Sequence, residues 1–110
     1  DIENSLKVLK NDGTIILHDC LPTNEFMQLI PHTTQSEWTG DCWKSFVKLR
    51  MERIDLSLNV VNTDWGCAII QRGANALLIP SGPIDYHGFV ANRNHWMNII
   101  SIGDFKRLYL

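Results

Sequence analysis

The chain has 110 residues, 45% of them apolar and 20% charged, with a formal charge of −2. This is the balance of one soluble globular domain, large enough to bury a core without metals or disulfides. No run approaches the roughly 18 uninterrupted apolar residues of a membrane span. The ten lysines and arginines are scattered and form no phosphate-tracking stripe, so neither a membrane nor nucleic acid is expected as a partner.

In chain order, Ile2, Leu6, Val8 and Leu9 follow helical spacing, and Asn11-Asp12-Gly13 supplies the turn chemistry that stops a helix. Residues 14–17 are a short run apolar on both faces, the pattern of a buried parallel strand, and the strand ends at His18-Asp19. Residues 20–40 are polar and irregular, interrupted by Pro22 and Pro31, with one short helical turn predicted over 25–29; long loops of this kind carry function. Asp41 is placed to cap a helix running to about Arg53, with Trp43, Phe46, Val47, Leu49 and Met51 on its broad apolar face.

Residues 54–63 alternate as a half-buried strand, residues 66–71 form a second apolar run, and Thr63-Asp64-Trp65-Gly66 reads as the hairpin connection between them. Residues 75–79 are apolar but stop at Pro80, which predicts a short strand or extended segment. Phe89, Val90, Trp96, Ile99 and Ile100 predict a helix over about 85–100, with Asp85 and Tyr86 in its first turn, and Ser101 opens a last helical turn through Phe105 and Leu108. Residues 85–110 thus make a C-terminal helical segment of the single domain. Helical spacing starts almost at Asp1, with no initiating Met, so polypeptide is expected upstream.

Three stretches in order carry a family resemblance. Residues 9–19, LKNDGTIILHD, resemble the helix, glycine turn and fifth strand of class I S-adenosylmethionine-dependent methyltransferases. His18-Asp19-Cys20-Leu21-Pro22 and Gly40-Asp41-Cys42-Trp43-Lys44 are similar to the HDxxP and GDxWK segments of a bacterial subgroup linked to sugar and cell-surface biosynthesis, and residues 64–70 resemble its last hairpin. The resemblance implies the C-terminal half of such a domain: an α/β, partial Rossmann-like sheet made of the fifth strand and the antiparallel sixth and seventh, with flanking helices. The family's glycine-rich loop and its ribose-holding acidic residue have no counterpart in this sequence, so no position is assigned to the S-adenosylmethionine cofactor.

Ligands of open α/β sheets bind beyond the carboxyl ends of parallel strands, where His18, Asp19 and Cys20 would lie. His18 and Asp19 are therefore the candidate catalytic residues. A histidine accepts protons near neutrality and can act as base toward an acceptor hydroxyl; the plainer alternative is a half-buried His that fixes the loop. Asp19 stands where metal-dependent relatives place a magnesium-binding carboxylate, which makes it the one candidate ligand for a divalent metal. Cys20 follows instead of the relatives' Asn and suits a hard cation poorly, and the plainer role of anchoring the loop outweighs the metal.

Trp38, Asp41 and Trp43 are candidates for the wall of an acceptor site, since aromatic faces suit sugars and other rings. Helix capping competes for Asp41 and core packing for Trp43. Zinc on the cysteines and histidines at 18, 20, 32, 42 and 67 lacks any CxxC or HxxxH pair, and a hydrolase built on His18 and Cys20 lacks an orienting third group. Three widely spaced cysteines, an odd number, fit a reducing cytoplasm better than a disulfide framework. The expected function is methyl transfer to a small or carbohydrate-like acceptor, with this half inactive alone. The alternative is a non-catalytic assembly module in which a second copy covers the exposed edge of the fifth strand.

Overall fold

The computed structural model describes residues 2–28 and 40–110. Helix α1 (Ile2–Lys7) is short, and the carbonyls of Leu6 at its end and of Leu9 beyond it accept hydrogen bonds from Arg72 at 3.2 and 3.3 Å. The glycine turn follows, then strand β1 (Thr14–Leu17). A single 3-10 turn spans Phe26–Gln28, within the segment predicted to be helical. Helix α2 (Cys42–Glu52) starts after Asp41, as its apolar spacing predicts. Strands β2 (Leu56–Val61) and β3 (Cys67–Arg72) form the predicted antiparallel hairpin. Helix α3 (Tyr86–Trp96), the two-residue strand β4 (Ile99–Ile100) and helix α4 (Ile102–Tyr109) complete the chain.

The four strands make one mixed sheet in the order β1-β3-β2-β4. β1 pairs antiparallel with β3, from Thr14 opposite Gln71 to Leu17 opposite Ala68, and β4 runs parallel to β2. This corrects the expectation of an interior parallel strand at 14–17. Among the described residues β1 has a strand on one side only, and Ile16 is 61% exposed. Four apolar residues read alike whether a strand is interior or at a margin, and the neighbour here is the second strand of the hairpin, which runs antiparallel to β1.

Alternation puts Ile15, Leu17, Leu56, Leu58, Val60, Ala68 and Ile70 on one face of the sheet. They join one core with Leu6 of α1, Trp43, Phe46, Val47 and Leu49 of α2, and Phe89 and Trp96 of α3. The Trp43 ring lies 4.9 Å from Phe89 and 6.5 Å from Trp96, centroid to centroid. Each such buried side chain contributes about 1.5–3 kcal/mol, so this aromatic cluster is the main tie between the two long helices. Arg50 adds a second tie, donating to the carbonyls of His95 and Trp96 where α3 ends. The opposite face carries Thr14, Ile16, Asn59, Val61, Cys67 and Ile69, and α4 lies over part of it, with Asn59 Nδ2 donating to the Tyr109 hydroxyl at 3.0 Å.

Two predicted elements differ. The helix expected to reach Ile100 stops at Trp96, because Asn98 takes left-handed backbone (φ 46°) and its amide donates to Leu58 O at 2.7 Å and Asn59 Oδ1 at 2.8 Å. Ile99 and Ile100 then lie beside Val60 and Val61 as strand. Residues 75–79 form no strand: Asn75 Nδ2 donates to the carbonyls of Arg50 and Arg53 at 3.0 and 2.9 Å, closing the end of α2, and Leu78 plugs the core. Among the described residues no helix is long and apolar enough to cross a membrane.

Candidate functional site

Everything at the carboxyl end of β1 turns on one backbone reversal. Asp19 adopts φ 64°, left-handed geometry that costs a residue with a β-carbon roughly 1–2 kcal/mol. The reversal steers the next three residues inward, and Cys20, Leu21 and Pro22 are buried. The hairpin tip holds them there: Cys20 N donates to Gly66 O at 3.2 Å and Leu21 N to Trp65 O at 2.6 Å. At that tip Gly66 N donates to Thr63 O at 2.7 Å across Asp64 (φ 49°) and Trp65 (φ 55°), the two positive angles that a primed hairpin turn requires.

His18 stays outside. Its Nε2 lies 3.8 Å from Asp64 Oδ2, and both side chains are about 60% exposed. The structure thus pairs His18 with Asp64, a partner that sequence reading placed only in the hairpin. A turn tip folding back against the strand exit was the available signal. Asp19 does not meet His18 in an ion pair among the described residues. Its charge and that of Asp41 add to burial in pushing the Cys42 thiol up.

Asp41 occupies the N-cap position of α2, with φ −107° and ψ 30°, and makes no side-chain capping bond. It is therefore positioned near Asp19 but does not act as the predicted hydrogen-bonding cap. Trp43 corrects its expectation as a pocket wall: it is 0% exposed in the core, and its Nε1 donates to Gln28 Oε1 at 3.4 Å. Trp38 lies outside the described residues.

The setting of the thiols works against thiolate formation. Burial, reinforced by Cys42, Asp19 and Cys67, raises Cys20 from 9.0 to about 12, and its Sγ is turned to the carbonyls of Leu17 and His18 at 3.8 and 3.7 Å. Burial first, then Asp64 and Asp19, also raise Cys67. Among the described residues no three His, Cys, Asp or Glu side chains converge to hold a metal ion.

Beside His18 lies a second feature, a cleft of about 470 Å³ between the outer face of the sheet and α4. Ile16, Val61 and Ile69 form its floor, Ile102 and Phe105 its far wall, and His18 and Lys106 are its basic lining residues.

A β-carbon at Gly13 would meet Leu9 and Lys10, at Gly66 it would meet Leu21, and at Gly73 it would meet Ser57, so these three close approaches are to the chain itself. Comparison with protein-family models, with curated proteins and with solved structures finds no match to this chain.

Proposed function

We propose that this chain is the acceptor-side half of an S-adenosylmethionine-dependent methyltransferase domain, acting on a small or carbohydrate-like hydroxyl compound and inactive alone. One observation carries the reading: β1, entered through a glycine turn, pairs antiparallel with the last hairpin strand and leaves its other edge without a strand among the described residues. That open edge is where the rest of such a sheet would pair. His18, directly after β1, stands at the strand exit where open sheets bind ligands.

In this reading the chemistry of this half is confined to the acceptor. His18 takes the proton of the acceptor hydroxyl at Nδ1, while its Nε2 lies 3.8 Å from Asp64 Oδ2, which orients the ring. Asp19 shapes the loop and enters no proton step. The test is methyl transfer from labelled S-adenosylmethionine by the full-length polypeptide. His18→Ala is expected to lower kcat by about 10²-fold with cofactor affinity unchanged. A full-length polypeptide that shows no calorimetric binding of S-adenosylmethionine sinks the reading.

The same open edge supports a second reading, a non-catalytic module in which β1 of one copy pairs with β1 of another, with exposed Ile16 at the seam. A dimer of the full-length polypeptide that ignores the cofactor and dissociates on Ile16→Lys favours this reading; a monomer excludes it.

A further inference from the structure

We infer that the cleft between the outer sheet face and α4 is a binding site for a small amphipathic anion, a molecule with an apolar body of about ten carbons and one carboxylate head. This goes beyond methyl transfer and does not depend on it. At about 470 Å³ the cleft falls within the range of roughly 300–1,000 Å³ that holds small ligands. Both its walls are apolar and unfinished. α4 places Ile102, Phe105 and Tyr109 at helical spacing, yet none of its residues is buried, and Ile16 opposite is 61% exposed. An apolar body lying against Ile16 and Ile102, which are 61% and 48% exposed, would displace water from surfaces that the protein itself leaves uncovered.

Charge selects the head group. Among the side chains that line the cleft, Lys106 and His18 are basic and none is acidic. Asp64 lies 3.8 Å from His18 and Asp104 pairs with Arg107 on α4, so Lys106 is the cation left to select the head group. No ion pair of Lys106 occurs among the described residues. The cleft therefore offers an ammonium beside an apolar floor, complementary to a carboxylate on a hydrocarbon body. A sugar fits poorly, because its hydroxyls would leave water for walls that offer few polar partners.

The test is calorimetric titration of the full-length protein with decanoate and, separately, with decanol. One site is expected, with decanoate about fivefold tighter than decanol and the ratio falling to about one in Lys106→Met. Ile16→Gln, at an exposed position that leaves the fold intact, should weaken both ligands alike, with circular dichroism unchanged. Three results overturn the inference: no stoichiometric binding below the micellar range, a decanoate-to-decanol ratio untouched by Lys106→Met, or a dimer that dissociates on Phe105→Glu, which would show a second copy in the cleft.

Discussion

Asp64 and Trp65 sit consecutively in left-handed backbone, where asparagine and glycine are the usual occupants. Trp65 is 42% exposed, so its ring recovers little of the roughly 1–2 kcal/mol that this geometry costs. Trp65→Gly is accordingly expected to stabilise the fold by about 1 kcal/mol, read as a higher urea midpoint with unchanged slope. A loss of stability instead would mean that the indole is a packing residue. Asp55 makes the clearest pH prediction. Hydrogen bonds from Arg53 at 2.8 and 2.9 Å, with Arg72 adding its charge at 3.3 Å, lower its carboxyl from 3.8 to about 2. The folded value is depressed, so the stabilisation is complete above about pH 4 and drains away as the pH falls toward 2. Asp55→Asn should flatten the acid limb of the stability curve in that window, and added salt should mimic part of the effect because the group is solvent-facing. At this scale the candidate site was half legible. His18 and Asp19 could be singled out from their place after an apolar run, but the pairing of His18 with Asp64 depends on a hairpin tip folding over a distant loop, which no local pattern records.

The elements themselves were legible where periodicity and turn chemistry agreed, as in α2 and the β2–β3 hairpin, and illegible where a single polar side chain overruled them. Asn98 is the clearest case: the apolar spacing runs on through Ile100, but one amide bonded to two groups of β2 is enough to convert the last turn into a strand. α3 contains a similar device, in which Asn92 Nδ2 donates to Gly88 O at 3.0 Å across a kink. Gly88 is there for space. A β-carbon would lie 2.6 Å from both Pro83 O and the Trp96 ring. Alanine gains about 1 kcal/mol of helix propensity, yet the overlap costs about 1–3 kcal/mol and involves rigid groups. Gly88→Ala should therefore destabilise on balance, by about 1 kcal/mol in chemical denaturation, whereas Gly103→Ala, with only Ser101 Oγ near at 3.7 Å, should be neutral or stabilising.

For the molecule as a whole, the resemblance implied an α/β domain with flanking helices, and the structure is α/β with one four-stranded mixed sheet, whose parallel pair includes β4, a segment that apolar spacing assigned to a helix. Strand direction was the part out of reach: whether a four-residue apolar strand runs parallel or antiparallel to its neighbour is decided by which segment returns beside it, a long-range choice absent from the strand's own residues. The uneven attachment of the C-terminal helix has a dynamic consequence. With no residue of α4 buried, its amide protons are guarded chiefly by intrahelical bonds, while those of Leu58, Val60, Ala68 and Ile70 lie within the central pair of strands over the core. Deuterium uptake followed by mass spectrometry should show residues 102–109 saturating far earlier than the β2–β3 pair, which should remain protected until global opening. The molecule would then possess a half-undocked form, with its tail helix swung off and its sheet intact, that is reached by ordinary thermal fluctuation at a small fraction of the energy of unfolding.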